Sequence, residues 1–142
     1  MAYLVQDDFK TRIRQSEFSQ LIDDSTEVLD KAVDEVESVF RDYLLPTYNV
    51  DTIFQASGNE RNPHLIMHMV HYVIYILYQR LPELEIPEVI ENNYQDSKDY
   101  MLKISQGKYD MNLPRMTDDE GKVETVFRGG SDPARVISDR VL

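Results

Sequence analysis

The sequence predicts an all-α protein: a small helical bundle of four to five helices, with an extended C-terminal tail able to form short β-strands. Three observations lead there. Apolar residues recur at spacings of three and four through three long stretches of residues 1–108. Helix starts are marked by Asn62-Pro63 and by Pro87. Beyond Gly107 the helical period stops, and glycine, proline and polar residues take over. The expected division is a helical domain, 1–108, and an interaction tail, 109–142.

Bulk properties set the limits. At 142 residues and 42% hydrophobic composition the chain can enclose one core, and two independent domains are not expected. With no cysteine, disulfide scaffolds, Cys-ligated zinc, iron–sulfur clusters and thiol catalysis are excluded together. A net charge of -11 opposes binding to nucleic acid, which draws its strength from Lys and Arg against phosphates. The start, MAYLVQDDFK, does not read as a secretory signal, so synthesis in a cytosol is expected. The apolar run Leu65 to Tyr78 is shorter than the roughly 20 residues that span a bilayer and carries two of the histidines, so no membrane association is expected.

Taken in order, Asp7 or Asp8 can cap a first helix carrying Phe9 and Ile13, and Ser16 can restart a short piece carrying Phe18, Leu21 and Ile22. Asp24, Ser25 and Thr26 precede a strongly amphipathic helix with Leu29, Ala32, Val33, Val36, Val39, Phe40, Tyr43 and Leu44 on one face, ending at Pro46. Its acidic outer face reads as a solvated surface. The period disappears from Pro46 to Asn62, a long connection in which Ile53 and Phe54 need burial. Asn62 then caps a helix with Pro63 at its first position, ending near Gln79 to Pro82. Pro87 opens the last helix, whose buried stripe is Ile90, Tyr94, Met101 and Ile104, and Gly107 supplies a left-handed stop. In the tail, KVETVFR and ARVIS are β-prone, yet neither holds enough apolar surface to fold alone.

All three histidines, His64, His68 and His71, lie on one face of the PHLIMHMVHY helix. Such a face can present imidazoles to a metal. It lacks a neighbouring carboxylate or cysteine and the glutamate of an HExxH enzyme, so we expect a packing face of intermediate polarity and no metal. No G-x-S-x-G, GxGxxG or GxxxxGK[ST] occurs, and the cluster Asp118, Asp119, Glu120, Gly121 lacks the ligand spacing of a calcium loop. No catalytic residues, cofactor or enzymatic activity are expected.

The segments MAYLVQDDF, QLIDD, FRDYLLPTY, HYVIYILYQR, NNYQDSKDYMLKISQGK and SDPARVISDRVL, in that order, resemble the Mu-like phage head-to-tail connector family over nearly the whole chain. The three histidines and the stretch from Asp51 to Arg61 depart from its usual pattern. The resemblance implies an adaptor in the neck of a virion, made in the cytoplasm of a bacterial host. It would form a homo-oligomeric ring of about twelve copies beneath the portal protein. The ring would contact tail or neck proteins and extend a channel through which DNA passes without specific binding. A His-rich metal-binding helical protein and another small viral tail-completion protein are the alternatives. Val123, Phe127, Val136 and Ile137 are the tail's apolar anchors, with Arg135 and Arg140 available to acidic partners. These six are the expected partner-binding residues, through strands added to a neighbour's edge.

Overall fold

The structure, a computed structural model, describes residues 3–116. Among them five α-helices are present: α1 (Gln15–Ile22), α2 (Thr26–Leu44), α3 (Val50–Gln55), α4 (Pro63–Gln79) and α5 (Glu88–Ser105). The fold is the small all-α bundle expected from the periodicity. α4 carries the most apolar sequence and takes the centre, packed against α5, α2 and α1. A helix apolar around most of its circumference must be surrounded.

The core forms where the stripes meet. Val36, Phe40 and Leu44 of α2, Leu65, Met69, Val73 and Leu77 of α4, and Met101 and Ile104 of α5 are almost fully enclosed. Phe18, Leu21 and Ile22 of α1 seal one side, as their spacing requires. On α5 the stripe is less deep at its start, since Ile90 and Tyr94 are half-buried.

Local chemistry explains the helix ends. The Asn62 side chain accepts from the backbone N–H of His64 at 2.8 Å and of Leu65 at 3.1 Å, with Pro63 in the first turn. Gly107, at φ 79°, closes α5: its N–H reaches Ile104 O and that of Lys108 reaches Lys103 O, the paired bonds of a Schellman motif. α1 ends the same way without glycine, placing Asp23 and Asp24 at φ 53° and 54°.

Three boundaries differ from the sequence expectation. The first helix is a single 3-10 turn, Gln6–Phe9, and Asp8 sits at its third residue, where its carboxylate accepts from Val5 N–H. The connection after Pro46 contains α3, capped by the Asn49 side chain accepting from Thr52 N–H. α3 has only six residues, too few to show a period; its buried residues are Ile53 and Phe54. Pro87 is the residue before α5 rather than its first.

Candidate functional site

Spacing on α4 points His64, His68 and His71 at α5, and α5 answers with Ser97 and Tyr100. Ser97 Oγ lies 2.7 Å from His68 Nδ1 and 2.9 Å from His71 Nδ1. His68 Nε2 lies 3.1 Å from His64 Nε2. The His68 ring stacks on Tyr100 at 4.7 Å and 16°. A hydroxyl donates one proton, so Ser97 donates to one imidazole and accepts from the other. Donation to His68 makes its Nε2–H the donor to His64 and His71 Nδ1–H the donor to Ser97. His71 Nε2, buried without a partner, is then a bare lone pair rather than an orphaned N–H, which is the less costly arrangement. His71 lines a small cavity together with Arg12, Ile74, Ile90 and Asn93.

Burial, then the neighbouring imidazoles of His64 and His71, push His68 down to about 4. Burial and the Arg12 guanidinium lower His71 as well. His68 and His71 are thereby held neutral at neutral pH, each bonded to the Ser97 hydroxyl. Among the described residues no group of three His, Cys, Asp or Glu is placed to hold a metal ion. Of the three, His68 is buried, His71 half-buried and His64 exposed, and the polar contacts of their ring nitrogens are intramolecular.

A second feature lies where the chain leaves the body. Residues 109–116 fold back along α3 and the start of α4. Met111 is buried, and its N–H donates to Tyr48 Oη at 2.8 Å. Asn49 N–H donates to Pro114 O and Met116 N–H to Thr47 O, around an antiparallel bridge between Tyr48 and Arg115. The Arg115 guanidinium lies over the Tyr48 ring, and Asn62 Nδ2 donates to Asn112 O. Burial pushes the Tyr48 hydroxyl above its usual range, keeping it protonated. Beside this crossing is an open cleft of about 540 Å³, lined among others by Tyr3, Ile53, Ala56, Asn62, Leu113 and Pro114.

Residues 3–127 match the sequence profile of the family described as Bacteriophage Mu, Gp36. The chain belongs to that family. No curated protein and no solved structure matches it. The Gp36 match covers the whole described body and runs past Met116 to Phe127, so it takes in Val123 and Phe127 and stops before Arg135, Val136, Ile137 and Arg140. All six of these expected partner-binding residues lie outside the described residues. No helix among the described residues of this Gp36-family chain is long and apolar enough to cross a membrane.

Sequence reasoning missed Ser97, although a signal was present. Ile90, Tyr94, Met101 and Ile104 leave a gap in the stripe, and Ser97 fills it at the three-and-four spacing. A hydroxyl on a buried stripe calls for polar partners, and the histidines were the polar residues on the facing helix. Tyr48 as the anchor of the outgoing chain carried no such signal.

Proposed function

We propose that this chain is a structural protein of the phage particle: a head-to-tail adaptor in the neck, forming a ring of about twelve copies beneath the portal and acting through interfaces rather than catalysis. The observation that carries this reading is the Gp36-family match, which extends beyond the helical body into the tail. A body whose core is closed by its own helices needs no partner to fold, whereas KVETVFR and ARVIS have too little apolar surface to fold alone. The tail therefore offers strands and anchors to neighbours.

Charge supports the conduit. Residues 3–116 carry 20 Asp and Glu against 11 Lys and Arg, and the outer face of α2 alone exposes Glu27, Asp30, Asp34, Glu35 and Asp42. Acidic walls repel phosphate, so DNA passes without being held.

Truncation after Met116 tests the reading, because it keeps the Met111 and Arg115 contacts and removes only residues 117–142. The truncated chain should be soluble and helical, and should fail to join the portal when infectious particles are produced. Normal incorporation of the truncated chain would sink the proposal. Reconstruction of intact particles by electron microscopy should place the full chain as a ring between portal and tail.

A further inference from the structure

The segment that carries the chain away from α5 is held differently from the helices. Gly107, at φ 79°, turns the chain, and Tyr109 still rests on α5, its ring 5.5 Å from that of Tyr100. From Asp110 to Met116, every hydrogen bond to the body goes to a joint between helices: to Thr47, Tyr48 and Asn49, between α2 and α3, or to Asn62, the cap of α4. Of these seven side chains only Met111 is buried. We infer that residues 110–116 form a strap that opens as one unit while the helical bundle stays folded, and that the Tyr48 hydroxyl is its latch.

Three features set the strap apart. Little apolar surface secures it: Met111 is enclosed and Leu113 half-buried, whereas α4 and α5 are anchored in the core by Met69, Val73, Met101 and Ile104. The free energy of local opening follows such burial. Its contacts also converge on one residue. Met111 N–H donates to Tyr48 Oη at 2.8 Å, while the bonds of Asn49 N–H to Pro114 O, 2.9 Å, and of Met116 N–H to Thr47 O, 3.3 Å, flank the bridge between Tyr48 and Arg115. The Arg115 guanidinium lies 5.4 Å from the centre of the Tyr48 ring and donates to Asp110 Oδ1 at 2.6 Å, so it joins the two ends of the strap over the latch. Finally, Thr47 and Asn49 are half-buried, so water can satisfy the carbonyl and N–H that opening sets free.

Opening has two consequences. With the strap closed, the chain beyond Met116 starts beside Thr47; with it open, the tether begins at Tyr109 and gains at most about 25 Å of reach. Opening also bares the backbone donor of Asn49 and acceptor of Thr47, an edge that the closed strap covers. The device stands on contacts within one chain and does not depend on the ring reading above.

Hydrogen exchange on the full-length chain tests it. Protection of the Asn49, Met111 and Met116 amides should be at least ~100-fold below that of Val73 and Leu77 in α4. Tyr48→Phe removes the hydroxyl and keeps the ring beside Arg115. It should lower protection about 3- to 10-fold at Asn49 and Met116, whose amides do not bond to the hydroxyl, and leave Val73 and Leu77 unchanged. Arg115→Ala changes a residue of the strap itself, and Met111, four positions away, should lose protection by a similar factor. Equal protection of all five amides in the unsubstituted chain, or a fall at Val73 and Leu77 to match that at Asn49, would overturn the proposal, since the strap would then open only with the bundle. So would a Tyr48→Phe chain with unchanged protection at Asn49 and Met116, or an Arg115→Ala chain with unchanged protection at Met111, because the contacts would then break one by one.

Discussion

Arg61 clamps Asp8 through two hydrogen bonds, Nη1 to Oδ2 at 2.6 Å and Nη2 to Oδ1 at 3.1 Å, with each side chain only 10% exposed. The same guanidinium donates to Tyr3 O and Gly58 O, and Asp8 also accepts from Val5 N–H. One ion pair thus ties the N-terminal turn to the entry of α4. Bidentate geometry and near-complete satisfaction separate it from the exposed pairs, such as Lys31 with Glu27, which contribute little.

Replacing Arg61 by Ala should leave the Asp8 carboxylate enclosed and uncompensated, with a loss of about 3 kcal/mol in chemical denaturation. The double variant Asp8→Ala, Arg61→Ala should lose less than the two single losses added together. A single-variant loss under about 1 kcal/mol would show that the clamp is as weak as a surface pair.

Phe40 is fully enclosed and meets the Tyr72 ring edge-on at 4.8 Å and the Tyr43 ring at 6.0 Å. Phe40→Ala should cost on the order of 3 to 5 kcal/mol, since the surrounding helices can collapse only partly into the space. A measured loss below about 1 kcal/mol would reject the placement of this face at the meeting of α2, α4 and α5.

Ser97→Ala removes the one hydroxyl bonded to both His68 and His71, leaving two ring nitrogens short of a partner. Thermal unfolding should show a loss of about 1 to 3 kcal/mol. Ser97→Thr, which keeps the hydroxyl, should separate a lost hydrogen bond from simple crowding: if it costs more than Ser97→Ala, packing and not the hydroxyl governs the site.

A pH dependence arises from the lowered values of His68 and His71, and the larger shift is that of His68. The unfolded chain takes up a proton near the ordinary histidine value of about 6.5, and the folded chain only near 4, so stability falls as pH drops between those limits. The His68 contribution is fully present above that window and is lost below it, on the order of 3 kcal/mol in all. Surrounding groups are His64 and His71 on its own helix and Ser97 and Tyr100 on α5. His68→Gln should make the fall within this window shallower, leaving the part due to His71, whose value is lowered as well, and should leave the neutral-pH slope unchanged; an equally steep fall in that variant would assign the effect to groups other than His68.

Replacing His64, His68 and His71 together by Gln should leave incorporation into particles intact at neutral pH, with a packing penalty in the melt. Zinc or nickel at one equivalent in untagged protein, lost in this variant, would overturn the packing role of the face.

Much of the helical framework was legible because its signals are local. The three-and-four spacing from Leu29 to Leu44, the Asn62-Pro63 start and the Gly107 stop each act within a few residues, so the chain states them without reference to its fold. α3 escaped because six residues cannot display a period. What tertiary structure alone decided was which polar atoms meet across distance. Ser97 answers histidines 26 and 29 residues away, Arg61 finds Asp8 across 53, and Tyr48 anchors Met111 across 63. The sequence displayed these groups singly. Their pairing depends on the angle at which α5 crosses α4 and on where the outgoing chain lies, quantities set by packing of the whole core, because a buried polar atom must find a partner wherever the apolar surfaces leave it.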